Sequence, residues 1–320
     1  MAAYRTAASI VDGLSPEQLE LKIRTNTLRE LRGIGPKTAA AIEQAHRGEV
    51  PAYLTELEHT YAELTPLADD VAAMRAALKG DLHVHSDWSD GGSPIREMAE
   101  AAIAIGHEYL ALTDHSPRLT VANGLTPERL ERQLDEVAKL NEELAPFRIL
   151  TGIECDINVD GSLDQTDELL GRLDVVVASV HSKLRMSSDD MTPRMVAAIS
   201  NPHTDVLGHC SGRLVIGRRQ RNGSQRPRPE STFDADAVFA ACAEFGTAVE
   251  INSRPERLDP PRRLLTRAVE IGCEFAIDTD AHAPGQLDWQ DNGCERAVEC
   301  GVPVESIVNT RPADQLWAAR

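Results

Sequence analysis

The chain has 320 residues, of which 42% are hydrophobic and 26% charged, and its formal net charge is -18 at pH 7. This length predicts one large domain and a smaller one, because single cores stop growing near roughly 250 to 300 residues. The excess of acidic residues argues against a protein that coats duplex DNA, since that mode needs many Lys and Arg contacts to phosphate.

The start of the chain has no signal-peptide pattern, and no apolar run approaches the roughly 18 residues that a membrane span needs. We therefore expect a cytoplasmic protein with no membrane contact and no obligate protein partner. The cysteines form no CxxC pair, which indicates reduced thiols rather than a disulfide framework. They are Cys155, Cys210, Cys242, Cys273, Cys294 and Cys300.

Residues 1–80 predict a small all-α domain. A capping box at residues 15–18 predicts a helix that begins at Pro16. Gly33 and Pro36 then supply a helix stop and a restart, which is typical of a short hairpin between two helices. We expect further helices over residues 28–33, 36–46, 52–64 and 67–78.

From residue 81 to residue 320, short β-rich runs alternate with helical windows, a pattern typical of βα units and a parallel sheet. Right-handed crossovers would curl such units into a (β/α)7 barrel, and an open doubly wound sheet is the alternative. The predicted helices include residues 94–105, 127–143 and 235–245, and the predicted strands are residues 82–85, 109–113, 149–155, 175–180, 206–208, 248–251 and 275–277.

Side chains that can bind metal ions follow the carboxyl ends of the predicted strands. In a barrel this rim carries the active site, because the loops converge on one mouth. Residues two apart on an extended segment point the same way, so paired residues can serve one centre. A catalytic zinc keeps about three protein ligands, so nine candidates predict roughly three ions, with Glu154 as the bridging ligand. The candidates are His83, His85, Asp90, His115, Glu154, His181, His209, Asp280 and His282.

Five segments resemble, in order, the motifs of the PHP (polymerase and histidinol phosphatase) family, and most closely those of the C-terminal PHP domain of bacterial family X DNA polymerases. They are DLHVHS (81–86), LTDHSP (112–117), GIE (152–154), SVHS (179–182) and DTDAH (278–282). The resemblance implies a distorted (β/α)7 TIM-like barrel that holds three divalent ions, either zinc, manganese or iron. The family's nine ligand positions match all nine candidates.

Two positions beside these motifs carry further expectations. Asp114 matches a family position next to the metal cluster, where a carboxylate that orients a histidine is expected. Cys210 stands where the family usually has proline, which places a soft side chain near the metals.

Cationic side chains that follow the strand ends are candidates for binding phosphate. Residues 213–228 carry six arginines directly after His209, and a solvated loop is the alternative for the distal ones. We expect Asp114, Glu154, His181 and Arg213 to act in catalysis, and the substrate-binding candidates are Lys183, Arg185, Arg213, Arg218, Arg219 and Arg254.

The resemblance implies hydrolysis of phosphate esters by a metal-activated water. Residues 31–39 resemble a helix-hairpin-helix, which presents backbone N–H groups to a DNA phosphate, with a plain turn as the alternative. These features favour a phosphodiester substrate, as in removal of 3'-terminal nucleotides from single-stranded DNA. The acidic composition favours a phosphomonoester of the histidinol phosphate type. A non-catalytic DNA-repair adaptor is the third hypothesis, and the complete set of candidate ligands argues against it.

Overall fold

The computed structural model describes residues 2–52, 54, 66–217 and 226–317. The chain forms two compact units, Met1–Pro66 and Leu67–Arg320. The larger unit begins before the boundary predicted at residue 80, because Val71 and Met74 belong to its hydrophobic core. No helix among the described residues is both long enough and apolar enough to cross a membrane.

The small unit contains three described helices. The capping box is present, since Ser15 N donates to Gln18 Oε1 at 2.9 Å, and the second helix begins at Pro16 as predicted. The first helix was not predicted, and most of the predicted helix over residues 52–64 lies outside the described residues. The helices are α1 (Ala2–Asp12), α2 (Pro16–Arg24) and α3 (Pro36–His46).

The predicted helix over residues 28–33 is wrong. Only a short 3-10 turn, Leu28–Glu30, forms there. The hydroxyl of Thr27 makes no capping hydrogen bond and lies 2.8 Å from Thr25 Oγ1 instead. Gly33 then adopts a φ of 105°, a left-handed conformation that glycine accepts readily, and the chain turns into α3.

The larger unit is a parallel barrel with seven strands in sequential order. The sheet closes between its first and last strands, where Val84 and Ala281 form a bridge and His85 N donates to Ala281 O at 2.8 Å. This closure confirms the (β/α)7 barrel and excludes the open doubly wound alternative. The strands are β1 (Gly80–Val84), β2 (Tyr109–Leu112), β3 (Arg148–Asp156), β4 (Val175–Ser179), β5 (Val206–Leu207), β6 (Ala248–Asn252) and β7 (Phe275–Asp278).

The strands are buried on both faces, as the long β-branched runs require. In β4, for example, Val175 and Val177 belong to one core with Leu150, while Val176 belongs to another with Met195. The helices of this unit are α4 (Asp69–Ala77), α5 (Ile95–Ala104), α6 (Pro127–Leu144), α7 (Asp167–Leu170), α8 (Ser188–Ile199), α9 (Ala235–Phe245), α10 (Arg262–Ile271) and α11 (Gln290–Glu299).

Arg194 on α8 is a buried cation that joins two loops at the barrel rim. Its relative exposure is 2%. The guanidinium donates to Asn158 O and Ser182 O, each at 2.9 Å, and to Ile157 O. These carbonyls lie in the loops after β3 and β4, and the second loop carries His181. Arg194 therefore holds a candidate ligand loop in place through backbone contacts.

Candidate metal centre

The nine predicted ligands meet at the carboxyl-terminal rim of the barrel, around the buried side chain of Glu154 on β3. Glu154 Oε1 lies 2.9 Å from His209 Nε2 and 3.2 Å from His181 Nε2. Its other oxygen, Oε2, lies 2.7 Å from His115 Nδ1 and 3.5 Å from His83 Nε2. One carboxylate thus approaches imidazoles that lie on or directly after four other strands, which is the position expected of a bridging ligand.

The remaining carboxylates lie at the edge of this cluster. Asp280 Oδ1 is 3.4 Å from His85 Nε2. Asp90 Oδ1 is 3.4 Å from His115 Nε2 and 3.3 Å from His282 Nε2. Three groups have all their ligand atoms within 4.8 Å of one another: His85, Asp90, His115 and His282; His83, His85 and Asp280; and His115, Glu154 and His181.

The spacing and the unpaired atoms of these groups fit divalent cations. Two atoms bound tetrahedrally to one ion at roughly 2.1 Å lie about 3.4 Å apart. Most of the measured separations, 3.2 to 3.5 Å, match this value. Among the described residues, both ring nitrogens of His85 and Nε2 of His83 are buried without a hydrogen-bond partner. Buried polar atoms rarely remain unpaired, and a bound cation would satisfy them.

The electrostatics of the cluster favour ligand atoms with free lone pairs. Burial, reinforced by the nearby His282 and His115, lowers the pKa of His85 to about 3, so its ring is neutral near pH 7. Burial alone would raise the pKa of Glu154. The imidazoles of His181, His115 and His83 outweigh burial and hold the pKa of this carboxyl well below its usual range. Glu154 is therefore ionised.

Asp114 positions a loop rather than a histidine. Its buried carboxylate accepts hydrogen bonds from Ser86 N at 2.9 Å, Ser86 Oγ at 2.6 Å, Gln133 Nε2 at 2.7 Å and Ser89 Oγ. These bonds hold the turn that leads to Asp90. The structure thus corrects the expectation that Asp114 orients a histidine, because its carboxylate accepts from Ser86, Ser89 and Gln133.

Two carboxylates that contact the cluster were missed in the sequence. Glu250 Oε1 on β6 lies 2.6 Å from His83 Nδ1. Asp156 Oδ1 on β3 lies 3.5 Å from His181 Nδ1 and accepts a hydrogen bond from His181 N at 3.1 Å. Both are buried acidic residues, Glu250 in the middle of β6 and Asp156 at the end of β3. This signal could have identified them, since a carboxylate in a buried strand needs a partner.

A cavity of about 490 Å³ opens beside the cluster. Asp90, His115, His181, Asp280 and His282 form part of its wall. The rest of the wall includes cationic and aliphatic side chains, namely Arg228, Arg254, Arg257, Leu119, Val121, Leu214 and Ile216.

The predicted phosphate-binding residues divide into several groups. Arg254 lines the cavity. Lys183 and Arg185 are exposed and are not among the described residues that line it. Arg218 and Arg219 lie outside the described residues.

The structure also corrects the expectation for Arg213. Its guanidinium donates to Arg257 O at 3.1 Å and to Leu258 O, so it braces the loop after β6 instead of lining the cavity. The neighbouring Arg257 takes the place expected of a phosphate-binding arginine. Arg257 Nε donates to Asp280 Oδ2 at 2.9 Å, and its buried Nη1 has no hydrogen-bond partner in the described chain.

The side chain of Cys210 is part of the apolar core, and its Sγ lies 3.8 Å from Asp259 Oδ1. Among the described residues, the three groups of possible ligand atoms do not include Cys210. All six cysteines are free thiols, as the absence of CxxC pairs predicts.

The fold is a seven-stranded parallel barrel whose rim gathers six imidazoles and three carboxylates. These features define a class of barrel proteins with a candidate metal site at the strand ends. A family model described as "PHP domain" matches residues 81–254. The chain belongs to the PHP family.

Relatives include a longer enzyme and shorter proteins. The chain is 40% identical over 268 residues to the DNA polymerase/3'-5' exonuclease PolX of Bacillus subtilis; the match covers 83% of this chain and 45% of PolX. It therefore spans less than half of that relative. A probable phosphatase of Thermoanaerobacter sp. is 27% identical over 241 residues, covering 72% of this chain and 89% of the relative.

A solved structure supports the fold. The histidinol phosphate phosphatase of Lactococcus lactis, crystallised with zinc, L-histidinol and phosphate, aligns with a TM-score of 0.51 and 19% identity. The alignment covers 69% of this chain and 92% of that one.

Proposed function

We propose that this protein is a metal-dependent hydrolase of phosphate esters. The observation that carries the proposal is the convergence of eight candidate metal ligands around a ninth, Glu154, beside a cavity lined by arginines. The family membership supports it, because the relatives named above are called a phosphatase and an exonuclease. Imidazole and carboxylate ligands suit zinc, manganese and iron alike, and the three ligand groups fit up to three ions.

The residues of the site have two proposed roles: some bind the cations, and others bind the substrate. Divalent ions bound there would supply a hydroxide near neutral pH, since they lower the pKa of the water that they bind. Glu154 would bridge two of the ligand groups. Arg254 and Arg257 would bind non-bridging phosphate oxygens and stabilise the charge that develops as the leaving oxygen departs. No side chain has to form a covalent intermediate.

We infer that the substrate is a phosphodiester and favour removal of 3'-terminal nucleotides from DNA. Part of the cavity wall is aliphatic, and two of its side chains are exposed: Val121 at 92% and Ile216 at 44%. Such a wall can pack against the flat apolar face of a nucleobase. The alcohol part of a small polar phosphomonoester offers little apolar surface for this contact. The resemblance of residues 31–39 to a DNA-binding hairpin agrees with this preference.

Two alternative functions would give a different pattern of cleaved substrates. A phosphomonoesterase of the histidinol-phosphatase type is supported by the relatives that are named probable phosphatases and that match this chain over most of their length. A DNA-repair adaptor would use the metal ions for stability alone. The phosphomonoesterase would cleave only monoesters, and the adaptor would cleave neither monoesters nor phosphodiesters.

The deciding experiment compares single-stranded DNA labelled at its 3' end with small phosphomonoesters, using the full chain. We expect release of mononucleotides that stops after dialysis against a chelator and returns when manganese or zinc is added. His181→Ala should abolish it, because His181 contacts Glu154. His203→Ala serves as the matched control, since His203 precedes β5 at the other end of the barrel. Turnover of monoesters alone would favour the phosphatase, and a metal-loaded protein inert on both would favour the adaptor.

Arg257→Met should lower kcat/KM by roughly 100-fold with the metal content unchanged, because it removes one preorganised cationic donor from the cavity. Steady-state kinetics and elemental analysis measure the two quantities. Arg267→Met is the control, since Arg267 is an exposed arginine of α10 that pairs with Asp236. Loss of metal together with activity would contradict phosphate binding and assign Arg257 to the support of Asp280.

A further inference from the structure

Strand β6 contributes none of the nine predicted ligands, yet it carries two polar side chains into the metal centre. Glu250 and Asn252 have relative exposures of 0%. They lie two residues apart on an extended strand, so they face the same side. A buried carboxylate is costly unless it is paired, which implies that Glu250 has a defined task at this position.

The contacts of Glu250 reach ligands from two other strands. Its Oε1 lies 2.6 Å from His83 Nδ1, and its Oε2 accepts a hydrogen bond from the backbone N–H of His209. Asn252 Nδ2 donates to Glu250 Oε2 at 3.2 Å and lies 3.4 Å from Asp280 Oδ2. The pair on β6 therefore connects candidate ligands that follow β1, β5 and β7.

The carboxylate of Glu250 determines which ring nitrogen of His83 carries the proton and which keeps a lone pair for a cation. An ionised carboxylate can only accept, so Nδ1 of His83 must carry a proton and donate it. In the neutral ring the lone pair then lies on Nε2. That atom has no hydrogen-bond partner in the described chain and faces Glu154 Oε2 at 3.5 Å. This tautomer is the one that a metal ligand pointing at Glu154 requires.

We propose that Glu250 is a positioning residue that sets the affinity of one part of the metal centre. It acts by fixing the tautomer of His83 and the backbone of His209, and the inference rests on the proposed metal-dependent function. The ligand group that depends on it is His83, His85 and Asp280. The group that contains Asp90 and His282 includes neither of the residues that Glu250 contacts, so its affinity should be unaffected.

Glu250→Gln tests the proposal with almost no change in volume. If the amide oxygen keeps the bond from His209 N, the amide NH₂ faces His83 Nδ1 and donates to it. The proton of His83 then moves to Nε2, and the lone pair needed for the cation is lost. We expect about 10- to 100-fold weaker binding of one ion, with the other ions bound as in the wild type.

The measurement is a zinc titration of the metal-free full chain against a competing chelator, with stoichiometry from elemental analysis. Asp259→Asn is the matched control: Asp259 is equally buried, but it accepts from Ser211 N at 3.1 Å and from Ser211 Oγ rather than from a candidate ligand. It should lower thermal stability and leave zinc affinity unchanged.

Glu250→Gln that binds every ion with wild-type affinity would overturn the role of Glu250. A wild-type chain that binds no zinc would overturn the metal centre itself, so the two failures are distinguishable. If Glu250→Gln does not fold, Glu250→Asp replaces it. The shorter side chain withdraws the carboxylate from His83 by about 1.5 Å, and weakened binding of one ion is again expected. Wild-type affinity in that variant would equally reject the proposal.

Discussion

Glu154→Gln is expected to reduce phosphoester hydrolysis by about 1000-fold or more and to lower the number of bound ions. The reason is geometric, because the two oxygens of Glu154 lie 2.7 to 3.5 Å from nitrogens of His83, His115, His181 and His209. Glutamine keeps the shape but loses the negative charge and one acceptor. A carboxylate whose two oxygens face four candidate ligands cannot be replaced by its neighbours.

The effect of Glu154→Gln is measured as kcat on the preferred substrate and as metal content after gel filtration. Glu142→Gln, on the exposed face of α6, is the control for the same chemical change away from the rim. A Glu154→Gln protein that keeps its ions and its activity would contradict the central position of this carboxylate. Loss of ions without loss of activity would show that catalysis does not depend on them.

Arg194→Met is expected to destabilise the larger unit by roughly 3 to 5 kcal/mol. Methionine fills much of the volume but leaves the buried carbonyl of Ile157 and the half-buried carbonyl of Ser182 without their donor, while Asn158 O keeps only its bond from Gly161 N at 3.0 Å. Each unpaired buried group costs about 1 to 3 kcal/mol. At about 2 to 4 °C per kcal/mol, a loss of 3 kcal/mol lowers the melting temperature by roughly 6 to 12 °C.

Thermal and urea unfolding followed by circular dichroism test this prediction. Arg132→Met on the exposed side of α6 is the matched control and should change the midpoint little. Metal affinity should also fall in Arg194→Met, since Ser182 follows the candidate ligand His181. An unchanged midpoint would mean that water reaches the three carbonyls and replaces the guanidinium.

The barrel strands and the candidate ligands were predictable because they depend on local patterns. A strand buried on both faces is a short apolar run, and all seven runs form strands in the structure within one or two residues of their expected ends. Ligand positions follow from those ends, since side chains there face the mouth of a barrel. Thr27 shows the limit, because a capping-box spacing identifies only a possible cap, and its hydroxyl contacts Thr25 instead.

The partners of the ligands depend on contacts that no local pattern reports. Glu250 and His83 are separated by 167 residues, and their contact exists only because β6 and β1 belong to one closed barrel. The sequence predicted Arg213 and not Arg257 as a phosphate-binding residue, yet the fold directs Arg213 to backbone carbonyls and Arg257 to the cavity wall. The chain order of residue types thus determines the barrel and the identities of the nine candidate ligands. Long-range packing determines which carboxylates and arginines contact these ligands. The reason is that closure of the barrel, and not proximity in sequence, brings each side chain to its partner.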